Sequence, residues 1–220
     1  MPVNYLHTLL HRVENGWDPI PSSYASSYAE FAWNGRCPEV VYDLASRAGG
    51  LAGKRVLDLG GGPGQYSILF AQHGADVTWH DVSHEYESIT RQRAAIARVS
   101  MSYSLGYLED ARRFVTAPFD LVFCRVCWYY SRSDRVFARL LYSLIKPGGV
   151  GYVECNTPEF SQPHSWRVAQ YWLNNYLWLK VGHPMPPHGR IAALLQRYDI
   201  RDMTLDYSSR LRDIVVFTKA

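Results

Sequence analysis

Residues 56–67 read VLDLGGGPGQYS. An apolar run carrying Asp58 ends at Leu59, and of the five residues that follow only Pro63 is not glycine. Glycine has no Cβ, so it lets the chain take positive φ and lets a ligand come close to the backbone. Between a strand and a helix, such a run leaves the helix's first N–H groups unpaired, with their partial positive charge turned outward. The stretch therefore predicts a ligand site at the carboxyl end of a first strand, where open α/β sheets bind their ligands.

The spacing narrows the ligand. Gly60, Gly62 and Gly64 make G-x-G-x-G rather than the dinucleotide G-x-G-x-x-G, and no Gly-Lys-Ser/Thr follows as a P-loop needs. Asp58, just before the glycines, repels a phosphate and welcomes an ammonium group. The expected ligand is nucleoside-like, cationic and free of phosphate. A second strand over 75–81 ends at Asp81, where an acid accepts both ribose hydroxyls.

Outward from this stretch the text alternates. Strand patterns at 54–59, 75–81, 100–105, 119–126 and 150–155 are separated by helix patterns at 64–74, 83–98, 108–114 and 133–145, with Ser83 as an N-cap and KPGG (146–149) as a turn. Strict alternation with short connections predicts parallel strands with helices on both faces. Upstream, residues 4–15 show helical spacing, a Pro- and Ser-rich loop follows, and 38–48 read as a helix with Pro38 in its first turn. Downstream come an aromatic helix over 165–180, a loop at 182–189, a helix over 190–198 and two strand-like runs forming a terminal hairpin. The expected fold is α/β: a Rossmann-like, seven-stranded, mostly parallel sheet with a C-terminal antiparallel hairpin. One domain is expected over 1–220, with 1–36 as an N-terminal cap and 156–190 as an inserted aromatic cap.

VLDLGGGPGQYS, Asp81, FDLVFCRVCWYY (119–130) and LIKPGGVGYVE (144–154), in that order, resemble the class I S-adenosylmethionine-dependent methyltransferases over residues 38–155. The resemblance implies that Gly60, Gly62 and Gly64 border the methionine part of S-adenosylmethionine. It places Asp58 behind the loop, orienting it or the amino group, Asp81 on the ribose and Val82 against the adenine. Where the family commonly reads Gly-Asp-Ala after the third strand, this chain reads GYLEDA, with Tyr107 at the acid's position. The adenine contact then falls to the Leu108 N–H, to Glu109 or to Asp110. Cys124 and Arg125 match a position that borders the cofactor with main-chain atoms.

Relatives often carry a His just past the fourth strand. Here stand Trp128, Tyr129 and Tyr130, the candidate catalytic residues. Aromatic faces beside a sulfonium contribute about 0.5–2 kcal/mol per contact. Methyl transfer is an in-line displacement that alignment and desolvation accelerate, and a base is needed only when the nucleophile must lose a proton. Tyr129 and Tyr130 can orient an acceptor, but a phenol with a pKa near 10 is a poor base. Trp128 is equally readable as core. The CRVC spacing of Cys124 and Cys127 has no partner pair, so neither a metal nor a redox centre is expected. His7 and His11 lack the Glu of a zinc helix, and His164, His183 and His188 read as structural or solvated. The N-terminal aromatics Trp17, Tyr24, Tyr28, Phe31 and Trp33, and the downstream group Trp166, Tyr171, Trp172, Tyr176 and Trp178, are candidate lids. An exposed aromatic face would serve equally as a homodimer contact.

The chain has 220 residues, 47% of them hydrophobic, a net charge of +3 and no basic stripe, which argues against a nucleic-acid partner. No apolar run reaches the length of a membrane helix, so no membrane partner is expected, and a soluble cytoplasmic protein is. The expected activity is methyl transfer from S-adenosylmethionine to an O or N of a small molecule, in natural-product metabolism. Two alternatives stand beside it. One is an intramolecular cyclase in which the cofactor's amine attacks Cγ and releases methylthioadenosine. The other is a non-catalytic cofactor-binding partner protein.

Overall fold

The computed structural model describes residues 10–116, 118–158, 165–177, 179 and 181–220. Seven strands form one sheet in the order β3-β2-β1-β4-β5-β7-β6. They are β1 (Arg55–Leu59), β2 (Asp76–Asp81), β3 (Ser102–Leu105), β4 (Phe119–Arg125), β5 (Ile145–Asn156), β6 (Ile200–Asp206) and β7 (Arg212–Lys219). β1 to β5 pair in parallel, whereas β7 runs antiparallel between β5 and β6. The chain winds outward from β1 through β2 to β3, then returns to β4 on the other side of β1. That reversal puts the loop after β1 beside the end of β4, the crevice in which such sheets bind ligands.

Alternation along the strands makes two cores. Leu57, Leu59, Val122 and Cys124 face Phe137 and Leu141 of α6 (Asp134–Leu144) and Ile191 of α8 (Arg190–Leu195). Val56, Leu121 and Phe123 face Val41 and Leu44 of α2 (Pro38–Arg47) and Phe70 of α3 (Gln65–Gln72). All are fully buried or nearly so, and each such side chain contributes about 1.5–3 kcal/mol. Ser83 caps α4 (His84–Ala97) by accepting from the Tyr86 N–H, as its position predicts.

Three readings change. The segment read as a loop contains α1 (Ser22–Asn34). Pro21, extended at its N-cap, starts the helix, and Ala25 and Ala29, one turn apart, are its buried stripe. The helix expected over 4–15 lies mostly outside the described residues; Leu10 is helical, the chain bends at His11, and an extended Arg12 leads into a 3-10 turn at Val13–Asn15. KPGG lies inside β5 rather than ahead of it. Phe119 pairs with Ile145, the register resumes at Leu121↔Val150, and the residues between bulge out with Gly148 at φ +74.

Candidate functional site

The glycine loop is built against three close neighbours, one each at Gly60, Gly61 and Gly64. At Gly60 (φ +78) a Cβ would lie 2.6 Å from the Cys127 Sγ, at Gly61 2.4 Å from the Trp79 ring, and at Gly64 (φ +77) 2.3 Å from Thr90. At Gly62 (φ +51) a Cβ would meet nothing within 4 Å. Gly60, Gly61 and Gly64 are thus fixed by packing, while Gly62 faces open space. The Gly60 and Gly61 N–H groups donate to the His80 carbonyl, and the Gly62 carbonyl accepts from Trp79 Nε1 (2.9 Å) and Thr90 Oγ1 (3.2 Å).

Two carboxyls and an imidazole lie beneath the loop. Asp58 is buried and its Oδ2 accepts from Ser67 Oγ at 2.5 Å. Desolvation pushes its pKa up to about 7, against the lowering effect of that hydrogen bond. Asp81 accepts from the N–H groups of Gly62 (2.9 Å), Val82 (2.7 Å) and Ser83 (3.1 Å), so it clasps the loop directly. Desolvation outweighs those three bonds and raises it to about 6. Burial lowers His80 to about 4, so it is neutral between Ser104 and the Tyr107 carbonyl.

Beyond β3, Tyr107 does not take over the missing acid's place: its hydroxyl donates to the His11 carbonyl at 2.9 Å. Leu108 begins a 3-10 turn (Leu108–Asp110) against Gly60. Glu109 accepts from the Arg132 N–H and so ties this turn to the loop after β4, while Asp110 pairs with Arg113 at 3.8 Å.

After β4 the chain turns on Val126, a β-branched residue at φ +57 whose N–H donates to the Glu154 carbonyl (2.7 Å). That conformation is strained for such a side chain. It sets Cys127 against Gly60, with its Sγ 3.1 Å from the Leu59 carbonyl and 3.2 Å from the Cys124 Sγ. Both are buried free thiols, and the CRVC spacing serves packing of the loop. Trp128 corrects one expectation: it is wholly buried, donates to Asp134 at 2.9 Å and packs edge-on to Phe137, so it belongs to the core. Tyr129 and Tyr130 are in contact, with ring centroids 4.7 Å apart. Burial raises both phenols, Tyr130 to about 12, so they orient rather than deprotonate.

Around the loop stand Trp33 and Tyr28, singled out among the N-terminal aromatics, and Tyr66 and Asp18, which carried no signal in the sequence. From α1, Trp33 Nε1 donates to the Pro63 carbonyl at 3.0 Å, and Tyr28 stands beside Tyr24 and Tyr86. The hydroxyl of Tyr66 in α3 accepts from the Cys37 N–H at 3.1 Å. Asp18 accepts from Ser83 Oγ and the Glu85 N–H, which pins the N-terminal segment to the start of α4. On the acceptor side, His183 lies edge-on to Tyr130 at 4.9 Å. The Nδ1 of His188 stands 2.5 Å from Asp213. His7, His164 and Trp178 lie outside the described residues.

A narrow cleft runs between the loop and the end of β4, lined by Tyr28, Asp58, Gly62, Gln65, Arg125 and Val126 among others. Gln65 Oε1 is a buried acceptor with no donor among the described residues. An open Cβ direction at Gly62 and an orphaned acceptor at Gln65 fit a ligand that brings an N–H donor close to bare backbone. S-adenosylmethionine, with its α-ammonium and ribose, has that form. Among the described residues no group of three His, Cys, Asp or Glu side chains could hold a metal ion, and no helix is long and apolar enough to cross a membrane. A larger groove of about 310 Å³ lies between α2 and the β6–β7 hairpin, but shares no residue with the glycine loop.

Residues 33–204 match the family model described as a methyltransferase domain. The chain is 34% identical over 106 residues to the ubiquinone biosynthesis O-methyltransferase of Cronobacter sakazakii, covering 48% of this chain and 44% of that protein. It is 31% identical over 149 residues to the Escherichia coli O157:H7 protein of the same name, covering 67% and 61%. It therefore spans less than two thirds of these curated relatives. Solved structures share its fold. An O-methyltransferase family protein from Burkholderia thailandensis superposes with a TM-score of 0.67 at 17% identity, over 90% of this chain and 58% of that one. The [4+2]-cyclase SpnF gives 0.62 at 15%, over 83% and 80%. A fold that hosts such different activities does not fix the chemistry, but the matched domain and the glycine loop agree: the chain belongs to the class I S-adenosylmethionine-dependent methyltransferase family.

Proposed function

We propose that this protein transfers a methyl group from S-adenosylmethionine to an oxygen or nitrogen of a small molecule, with a hydroxyl acceptor favoured by the O-methyltransferase relatives. The observation that carries this reading is the glycine loop, packed tightly at Gly60, Gly61 and Gly64 and open at Gly62. Bound there, S-adenosylmethionine supplies an electrophilic methyl group on a positively charged sulfur. Gly62, Asp58 and Asp81 hold its amino-acid and ribose ends, with Val82 and Leu108 on the adenine side. Cys124 acts from behind, through Cys127. Tyr28, Tyr129 and Tyr130 form the acceptor wall, with neutral phenols that donate hydrogen bonds and exclude water. His183 adds an imidazole beside Tyr130.

In this reading α1 is the lid over the cofactor and the protein acts in the cytoplasm on small molecules, without nucleic acid. The test is incubation with S-adenosylmethionine and a panel of phenols, catechols and amines, read by mass spectrometry. Adenosylhomocysteine formed only with an acceptor supports methyl transfer. Methylthioadenosine formed without one replaces it with the cyclase, and no turnover despite binding replaces it with the non-catalytic partner.

A further inference from the structure

Arg125 ends β4 on the face that carries Phe123, and its guanidinium lies 5.1 Å from the Tyr66 ring centroid. Its Nε donates to Glu154 Oε2 at 2.7 Å. Glu154 is itself buried, and it also binds Arg212 (2.9 Å) and the Tyr152 hydroxyl (2.9 Å). Two guanidinium groups thus share one buried carboxylate, which leaves a positive charge over. Desolvation works against the Arg125 charge, yet the Glu154 carboxylate more than restores it, and its pKa stays above the ordinary value. Only the Nε side is spent on Glu154. Among the described residues the other guanidinium N–H groups have no acceptor, and Arg125 lines the same cleft as Gln65 and Gly62. A partly buried guanidinium with free N–H groups calls for an anion, and its planar fork suits a carboxylate. Across the cleft, Gln65 Oε1 calls for an N–H donor, and Asp58 favours a cation there.

We propose that Arg125 and Gln65 are the cleft's α-amino-acid clamp: Arg125 takes the carboxylate and Gln65 the ammonium of the methionine tail of S-adenosylmethionine. The assignment rests on the cofactor reading above and goes beyond the main-chain role that the resemblance gives to residue 125. It makes the site selective for an intact amino-acid tail, against adenosyl ligands that have lost the carboxylate. A carboxylate on the acceptor has the same chemistry, and the experiment separates the two sources.

The experiment is calorimetric titration of the full chain with adenosylhomocysteine, its decarboxylated analogue and methylthioadenosine. A charge-assisted hydrogen-bonded pair corresponds to about 10- to 100-fold in affinity. The native protein should prefer adenosylhomocysteine over the decarboxylated analogue by about that factor. Arg125→Gln should abolish the preference while leaving the decarboxylated analogue within about threefold. Gln65→Leu should weaken both amine-bearing ligands about fivefold and leave methylthioadenosine unchanged. Removing Arg125 strips a partner from buried Glu154, so the pair variant Arg125→Met with Glu154→Gln, folded by its circular dichroism, repeats the comparison without that charge. Equal affinity of the native protein for adenosylhomocysteine and its decarboxylated analogue overturns the clamp and leaves the cofactor reading standing. So does Arg125→Gln that binds adenosylhomocysteine normally and raises KM only for carboxylate-bearing acceptors. No heat from any of the three ligands overturns the cofactor reading and the clamp together.

Discussion

Two aromatic helices lie in segments that read in the sequence as lids, yet they are anchored in different ways. α1 turns two of its aromatics inward and ties them down, while Tyr24 and Phe31 stay exposed: Trp33 donates to the loop at Pro63, Tyr28 packs on Tyr86, and Ala25 is buried. α7 (Ser165–Tyr176) turns its polar stripe inward instead. Tyr171 donates to Asp134, Asn175 accepts from the Asp134 N–H, and Asn174 accepts from the Val181 N–H. Its aromatics face out, with Trp166, Trp172 and Tyr176 at 59%, 53% and 45% exposure. Trp172 stacks on Tyr176 on that outer face, with Arg135 over the latter ring. An aromatic stripe at helical spacing therefore does not say which face is buried; the partners of the polar residues decide it. Here the deciding partner is Asp134, which is buried and holds Trp128 and Tyr171 and approaches Arg190 at 3.6 Å.

The sharpest way to break this picture is at the loop that α1 covers. Gly60→Ala forces a Cβ into Cys127 at a positive φ and should cost roughly 4 kcal/mol, strain and overpacking together, in urea denaturation. Gly62→Ala should cost about 1 kcal/mol and still weaken adenosylhomocysteine binding, because its Cβ enters the ligand's space. Equal losses of stability would mean that Gly62 is no cradle. On the α7 side, Asp134→Ala should cost about 3 kcal/mol and speed amide exchange across α7, while exchange in α1 stays unchanged.

The carboxyls beneath the loop give a pH test. Both have folded pKa values raised above about 3.9, the unfolded value, to about 7 for Asp58 and about 6 for Asp81. The ligand-free protein therefore gains stability from these retained protons below pH ~4, and loses it as pH rises through their folded values. A cationic ligand needs them ionised, so affinity for S-adenosylmethionine should be nearly full above pH ~7.5 and on the order of 100-fold weaker at pH ~5.5. Calorimetry in buffers of different ionisation enthalpy should show proton release on binding, and a flat profile would remove both acids from the ligand's reach. Trp33→Phe, which loses one hydrogen bond, should cost about 1 kcal/mol and weaken binding about fivefold. Trp172→Ser should change stability by no more than about 0.5 kcal/mol. A larger loss there would show that something covers the outer face of α7.

The succession of strands along the chain, the loop and Asp81 at the end of β2 were legible because each is written within a few neighbouring residues: apolar runs, glycines, an acid at a strand end. What escaped depends on distant partners. α1 reads as a Pro- and Ser-rich loop until Tyr86 and Pro63 are seen against it. Arg125 sits within the quoted motif, but its free fork means something only once Glu154 has claimed the other side. Cys124 and Cys127 advertise their spacing, whereas their contact depends on Val126 bending the wrong way for its side chain. Trp128 was readable equally as core or as a wall of the site because position alone was available; its full burial and its indole N–H bond to Asp134 put it in the core.

Two indoles hold adjacent carbonyls of the glycine loop, Trp79 at Gly62 and Trp33 at Pro63. Their emission depends on the polarity and hydrogen bonding around each ring, so a molecule settling on that backbone alters both at once. The protein thus contains its own optical reporter of occupancy, and ligands can be ranked by quenching without a label or a known acceptor.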